Sequence, residues 1–226
     1  MALLEIKDGK VKAAVFVATA LFLCMVAVVS APLRIPHKLF LPVGLLCVAS
    51  LWLTPWEITL ALLFSAMGDY FGSCACFMAQ MGSFAVAHIF YIVFFIRRYL
   101  RKGTKMTAKM RGYQMMLGIC ALTLLAFIFV RVVPAAPEGV LRTGVGIYAV
   151  VICVMLLAAL VQRSSLYALG ALLFVISDFI LAWNKFVEPV PYDQILILIT
   201  YFAAQWLLFV RATPYKVAHP IYLMRF

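Results

Sequence analysis

Apolar runs of about 20 residues, the length that crosses a bilayer as a helix, follow one another along almost the whole of this chain. Eight can be marked, roughly over 11–31, 38–54, 57–73, 78–99, 113–132, 140–161, 165–184 and 192–211. Short polar breaks separate them. Pro32, Pro36, Pro55, Pro134, Pro137, Pro189, Pro191 and Pro214 fall at or between the expected ends, where a missing N–H does least harm. Pro42 falls in the first turns of the second run, which a helix also tolerates. Only 12% of the residues are charged, against about 25% in a soluble domain. The pattern argues against a water-soluble enzyme. It predicts an all-α fold, a polytopic membrane helix bundle of eight transmembrane helices forming a single transmembrane domain over residues 1–226. The short connections leave no segment for a second domain.

Two features of the ends refine this reading. Val29-Ser30-Ala31 resembles a signal-peptide cleavage site, but the apolar stretch Ala13 to Val29 is longer than a signal core, so a retained helix is expected. Basic residues then set orientation. With the N-terminus in the cytoplasm, 14 of the 19 Lys and Arg fall on the cytoplasmic side, leaving Arg34, Lys38, Arg131, Arg142 and Lys185 outside. Both termini are therefore expected to be cytoplasmic. The basic segment from Arg97 to Arg111 reads as an orientation signal that touches anionic headgroups. It comes without a folded domain or interleaved aromatics, so no nucleic-acid partner is expected.

Four of the six cysteines, Cys24, Cys47, Cys120 and Cys153, lie within apolar runs and read as small hydrophobes. Cys74 and Cys76 form a C-x-C in a short connection without a neighbouring ligand, so neither a metal site nor a disulfide framework is expected.

Against this apolar background stand Asp69, in the third run, and Asp178, in the seventh. Insertion of an aspartate at the centre of a membrane helix costs roughly 2.5–3.5 kcal/mol. Two would oppose insertion by roughly 5–7 kcal/mol, comparable to the stability of many domains. With no Lys or Arg expected at matching depth, both read as functional groups facing a polar interior. In the orientation above, both lie toward the outer leaflet, as does Lys38.

Other polar residues fall in register on a few helices, since positions three and four apart share a face. The third run carries Ser65, Gly68, Asp69 and Gly72. The fourth carries Phe77, Met81, Phe84, His88 and Tyr91. The seventh carries Gly170, Phe174, Ser177 and Asp178, with Asn184 further along, and the eighth Gln194, Tyr201 and Gln205. Each stripe also has a structural explanation, because small residues let helices approach and Ser, Gln and Tyr bond across them. His88 alone reads as readily as a satisfied core histidine.

These residues resemble the YhhN-like lysoplasmalogenase family of membrane proteins. The resemblance runs from about Lys38 to Gln205. It rests on Ser65-Ala66-Met67-Gly68-Asp69, on Phe77 to Gly82 with Phe84, and on Ala87-His88-Ile89-Phe90-Tyr91. Further along it rests on Gly170-Ala171-Leu172-Leu173-Phe174, Ser177-Asp178 and Tyr201-Phe202-Ala203-Ala204-Gln205. One departure is that the family often has Lys-Pro at the start of its second helix, whereas Leu39 follows Lys38 here. The resemblance implies an eight-helix hydrolase that cleaves the vinyl ether bond of lysoplasmalogens, without metal or other cofactor. The products are a fatty aldehyde and glycerophosphoethanolamine or glycerophosphocholine.

Acid cleaves a vinyl ether by protonating the alkene carbon, and water adds to the resulting oxocarbenium-like cation. Like a glycosidase, such an enzyme needs one protonated and one ionised carboxyl. Asp69 and Asp178 are the expected catalytic pair. Ser65, His88, Tyr91, Ser177, Asn184, Tyr201 and Gln205 are expected to position water or the glycerol part. Lys38, with Arg34 behind it, is expected to meet the lipid phosphate as a point charge. The expected partners are the lysophospholipid itself, drawn from the bilayer, and membrane lipids. Short loops suggest a bacterial cytoplasmic membrane.

Two other readings use the same residues. A proton-coupled transporter also employs intramembrane carboxylates, but it predicts an inverted repeat that is not evident. A zinc-dependent lipid amidase needs about three His or mixed ligands. Of His37, His88 and His219, only His88 lies deep in a run.

Overall fold

A computed structural model describes residues 8–102 and 108–218. Among the described residues there are eight α-helices and no strand: α1 (Gly9–Ser30), α2 (Leu41–Leu53), α3 (Trp56–Ser73), α4 (Phe77–Lys102), α5 (Ala108–Arg131), α6 (Val140–Leu160), α7 (Ser165–Phe186) and α8 (Asp193–Ala218). A 3-10 turn, Lys38–Phe40, leads into α2. Each helix corresponds to one of the eight apolar runs.

Local chemistry sets the ends. The Asp8 side chain caps α1 by accepting from the Lys10 amide at 2.8 Å. Pro42 occupies the first turn of α2, where no N–H is needed. Thr54 is extended, as the residue before Pro55 must be, and so α2 stops there. Glu57 follows in the first turn of α3, where a carboxylate meets the positive end of the helix dipole. Ala75, in a left-handed conformation at φ 57°, turns the chain between α3 and α4.

Several helices outrun their expected bounds, α4 and α8 among them. Pro214 was expected to lie beyond the last span, but it sits inside α8, which continues to Ala218. Pro214 removes there the backbone donor that would otherwise reach the carbonyl of Val210 one turn earlier. Helix α4 continues through Arg97 and Arg98 to Lys102, so this part of the basic segment is helix rather than loop. Of the basic residues counted for orientation, Lys7, Lys105 and Arg225 lie outside the described residues. So does His219, and so do the side chains of Lys102, Lys109, Arg111 and Lys216.

Helices α1, α4, α6, α7 and α8 are long and apolar enough to cross a membrane, while α2 and α5 contain shorter apolar stretches. Large apolar side chains stand outward; Phe16 and Trp52 are both 71% exposed, an arrangement suited to lipid rather than water. The chain is a multi-pass membrane protein.

It forms two compact units. The first comprises Met1–Tyr91 and Gln205–Phe226, the second Ile92–Ala204. In the first unit α1 packs on α2 and α2 on α3. Trp206 Nε1 of α8 donates to Thr19 Oγ1 of α1 at 3.2 Å. In the second unit α5 packs on α6 and α6 on α7. Its core includes Phe94, Phe95 and Tyr167, whose rings meet tilted or edge-on within 5.8 Å.

Candidate functional site

In the first unit, Asp69 is buried on α3, and Ser65 is fully buried one turn before it. The Ser65 hydroxyl has no hydrogen-bond partner among the described residues. Such a group costs about 1–3 kcal/mol to leave unmatched, which makes it a candidate contact for an absent polar ligand. The glycines of the same stripe serve packing. A Cβ on Gly68 would lie 2.9 Å from the ring of Phe84, and one on Gly72 would lie 2.6 Å from the Gln80 amide nitrogen. Small residues four apart thus let α3 and α4 approach closely.

Further along α4, His88 and Tyr91 are both fully buried. The Tyr91 hydroxyl donates to Gln205 Oε1 on α8 at 2.6 Å. The structure therefore brings together two of the residues singled out from the sequence. The Gln205 amide nitrogen, also buried, has no partner among the described residues. Glu57 is fully buried as well, at the opposite end of α3 from Asp69.

Lys38 has a nearer partner than a phosphate, since its Nζ donates to the Ala31 carbonyl at the end of α1 over 2.6 Å. A cation there complements the negative end of the helix. Two of its three N–H donors remain after that bond. Beside it, the left-handed His37 places Nδ1 2.7 Å from Ser73 Oγ and its ring 4.9 Å from that of Tyr70. Arg34 is exposed.

In the second unit, Asp178 is buried on α7, and its Oδ2 accepts from the Tyr148 hydroxyl of α6 at 2.5 Å. Both groups line a cavity of about 40 Å³ whose other walls are apolar, among them Ala149, Ile152, Val175 and Phe179. This is room for a water molecule, and Asp178 and Tyr148 supply polar partners for it. Phe179 also borders an aromatic groove with Phe127, Ile180, Trp183 and Val190.

The remaining sequence candidates of this unit are engaged in structure. Ser177 Oγ donates to the Ile197 carbonyl at 3.2 Å, tying α7 to α8. Asn184 holds the α7–α8 connection at both ends of its amide. Its Nδ2 donates to Asp193 Oδ2 at 2.8 Å, and its Oδ1 accepts from the Val190 amide at 2.9 Å. Tyr201 is buried with its ring edge-on to Phe174, the centroids 5.4 Å apart. Gln194 is exposed.

Sequence reasoning missed three groups. Tyr148 is the main omission, although beyond the first turn it is the only hydroxyl in its apolar run. Glu57 was passed over at a run's edge. Arg98 belongs to the basic segment expected to touch headgroups, yet it is buried. It donates to Gln162 Oε1 at 2.9 Å and lies 5.2 Å over the Tyr167 ring. A buried cation does therefore exist inside a helix of this chain, near the C-terminal end of α4.

Known proteins are similar to this chain in sequence. Human lysoplasmalogenase TMEM86B is 33% identical over 155 residues, covering 66% of this chain and 59% of the relative. Its mouse counterpart is 31% identical over 190 residues, covering 81% and 75%. Bovine lysoplasmalogenase TMEM86A is 34% identical over 167 residues, covering 67% and 63%. This chain thus matches about six-tenths of the human relative's length and three-quarters of the mouse one's. No solved structure matches the chain significantly. The YhhN family model matches residues 33–212, a span that holds Asp69, Asp178 and every other residue considered above from Arg34 to Gln205, and the chain belongs to that family.

Proposed function

We propose that this protein is a membrane hydrolase that cleaves the vinyl ether bond of lysoplasmalogens, releasing a fatty aldehyde and a glycerophospho-alcohol. The relatives named lysoplasmalogenase support the reaction class. The observation that carries the chemistry is the buried carboxylate of Asp178, bonded by Tyr148 beside a cavity of water size.

The reaction asks one carboxyl to give a proton to the alkene carbon and another to stay ionised as the cation forms. Asp178 is the candidate for the second task, with the Tyr148 hydroxyl to orient it. Asp69 is the candidate for the proton donor. Ser65 Oγ and Gln205 Nε2 have hydrogen-bonding capacity to offer the glycerol part. His88 and Tyr201 are further candidates for that role. Lys38 keeps N–H groups for the phosphate beyond the one it gives Ala31. The lysolipid reaches the protein from the bilayer, with no cofactor required. The charge bias favours cytoplasmic termini, and the short connections favour a bacterial cytoplasmic membrane.

The test is a pair of lipids. Purified protein in detergent is given a vinyl-ether lysolipid and its saturated alkyl-ether analogue, and aldehyde release is measured. Release from the first alone is expected. Cleavage of neither overturns the proposal, and equal cleavage of both overturns an acid-catalysed mechanism, which needs the double bond.

A further inference from the structure

We propose that the cavity lined by Tyr148 and Asp178 holds the hydrolytic water, with Tyr148 as the positioning residue that fixes the carboxylate receiving that water's proton. The proposal rests on the vinyl-ether reading above and deepens it.

Three observations converge. The first is the hydrogen bond itself, 2.5 Å from the Tyr148 hydroxyl to Asp178 Oδ2. A phenol that donates to one carboxylate oxygen fixes the carboxyl plane, and an ionised carboxylate, with about four acceptor sites, can accept from a water as well as from a phenol. The second is size. At about 40 Å³ the cavity suits a water molecule and is far too small for a lipid headgroup or an alkenyl chain. The third is the lining. Ala149, Ile152 and Val175 offer a water no side-chain hydrogen bond, so among the described lining side chains Tyr148 and Asp178 are the ones that can orient it. Ala149 is also the smallest side chain a wall can carry short of glycine, and a larger residue there would fill the space.

The step balances as follows. Proton transfer to the alkene carbon has already produced the oxocarbenium cation and left its donor as a carboxylate. The cavity water attacks the cationic carbon with an oxygen lone pair, forming a C–O bond, and loses one proton to Asp178. The product is a neutral hemiacetal. Its C–O bond to the glycerol oxygen then breaks. Asp178 returns its proton to that oxygen, and the hemiacetal hydroxyl proton regenerates the first acid. One water is consumed, and no oxidant or metal takes part. The Tyr148 proton stays on its own oxygen throughout. This separates Tyr148 from the catalytic carboxyls: its removal misplaces the base and the water without removing either.

Full-length Tyr148→Phe and Ala149→Leu are to be compared with the unsubstituted protein in detergent. The measurements are kcat and KM for aldehyde release, and the product ratio in buffer containing methanol. Methanol competes for the cation and gives a mixed methyl acetal in place of aldehyde. With Tyr148→Phe, kcat is expected to fall about 10–100-fold, KM to stay within about twofold, and the acetal share to rise, since a loosely held water loses its advantage over methanol. Ala149→Leu is expected to lower kcat at least as far with KM held. Wild-type kcat and wild-type product ratio in a folded Tyr148→Phe protein overturn the inference while leaving vinyl-ether hydrolysis intact. So does a loss that appears wholly in KM. Should Ala149→Leu fail to fold, Tyr148→Phe alone decides, because it keeps the ring. An unsubstituted protein that releases no aldehyde overturns both this inference and the function beneath it.

Discussion

Asp69 and Asp178 occupy similar stations, each buried in the later part of its helix, yet the helices that carry them are built differently. The α3 face around Asp69 is made of small residues. Ser65 and Gly68 lie beside it, and Gly68 is so near the ring of Phe84 that a Cβ there would force one of the two to shift. The α7 face around Asp178 faces a hydroxyl instead, with a water-sized cavity alongside. The contrast teaches that a small-residue stripe and a charged residue can share one face for unrelated reasons. On α3 the glycines set how close a neighbouring helix comes, whereas on α7 the neighbour supplies a hydrogen bond. Residue type at a position is therefore a poor guide to what the neighbouring helix supplies.

The largest effects should come from the carboxyls themselves. Asp69→Asn and Asp178→Asn are each expected to reduce kcat for aldehyde release by about 10²–10⁴-fold, the usual worth of a positioned acid or base. The folded state of each is checked by its elution and melting in detergent. Near-full activity in either variant would remove that residue from the mechanism and end the comparison. The next effect is on folding. Gly68→Val forces a branched side chain into the ring of Phe84 and is expected to cost about 1–3 kcal/mol or more in stability, read as a lower melting temperature. Gly82→Ala on α4, where a Cβ meets nothing within 4 Å, is the matched control and should melt normally.

Most of the fold was legible because a bilayer leaves a chain few choices. Eight apolar runs became eight helices, and Thr54-Pro55 ended α2 as an X-Pro step should. Pro214 shows the limit, since the same residue that ends a helix elsewhere rides inside α8 near its C-terminus. The site was legible at the level of which helices carry polar faces. Its partnerships were not. Tyr148 looks like any tyrosine among apolar neighbours until α6 and α7 pack and bring it to Asp178. Arg98 looks like loop charge because six basic residues accompany it between Arg97 and Arg111. What distinguishes it is Gln162 and Tyr167, more than sixty positions away in sequence. A helical period reports which residues share a face, and the pairing of faces comes only from tertiary packing.

A smaller effect separates a buried hydrogen bond from a catalytic role in the first unit. Tyr91→Phe removes the donor to Gln205 Oε1, whose amide nitrogen already has no partner among the described residues. The expected loss is about 1–3 kcal/mol of stability. If Gln205 contacts substrate through its amide, KM should rise as well, because the side chain loses the bond that holds it in place. Thermal melting with and without lysolipid distinguishes the two.

The smallest effect tests whether polar residues beyond Asp178 on α7 belong to the site at all. Asn184 shares the helix with Asp178 and was a candidate substrate contact, but both ends of its amide serve the connection to α8 through Val190 and Asp193. Two hydrogen bonds at a membrane-edge turn, partly exchanged for bonds to water when lost, contribute about 1 kcal/mol together rather than the full desolvation cost of a buried group. Asn184→Ala is therefore expected to lower the melting temperature slightly while leaving KM and the aldehyde product unchanged. Asn184→Asp should be worse for the loop than Ala, because it replaces the Nδ2 donor with a carboxylate oxygen facing that of Asp193. A rise in KM with no change in melting would reverse the assignment. It would put Asn184 on the lipid rather than on the loop, and the working face of α7 would then extend two turns beyond Asp178.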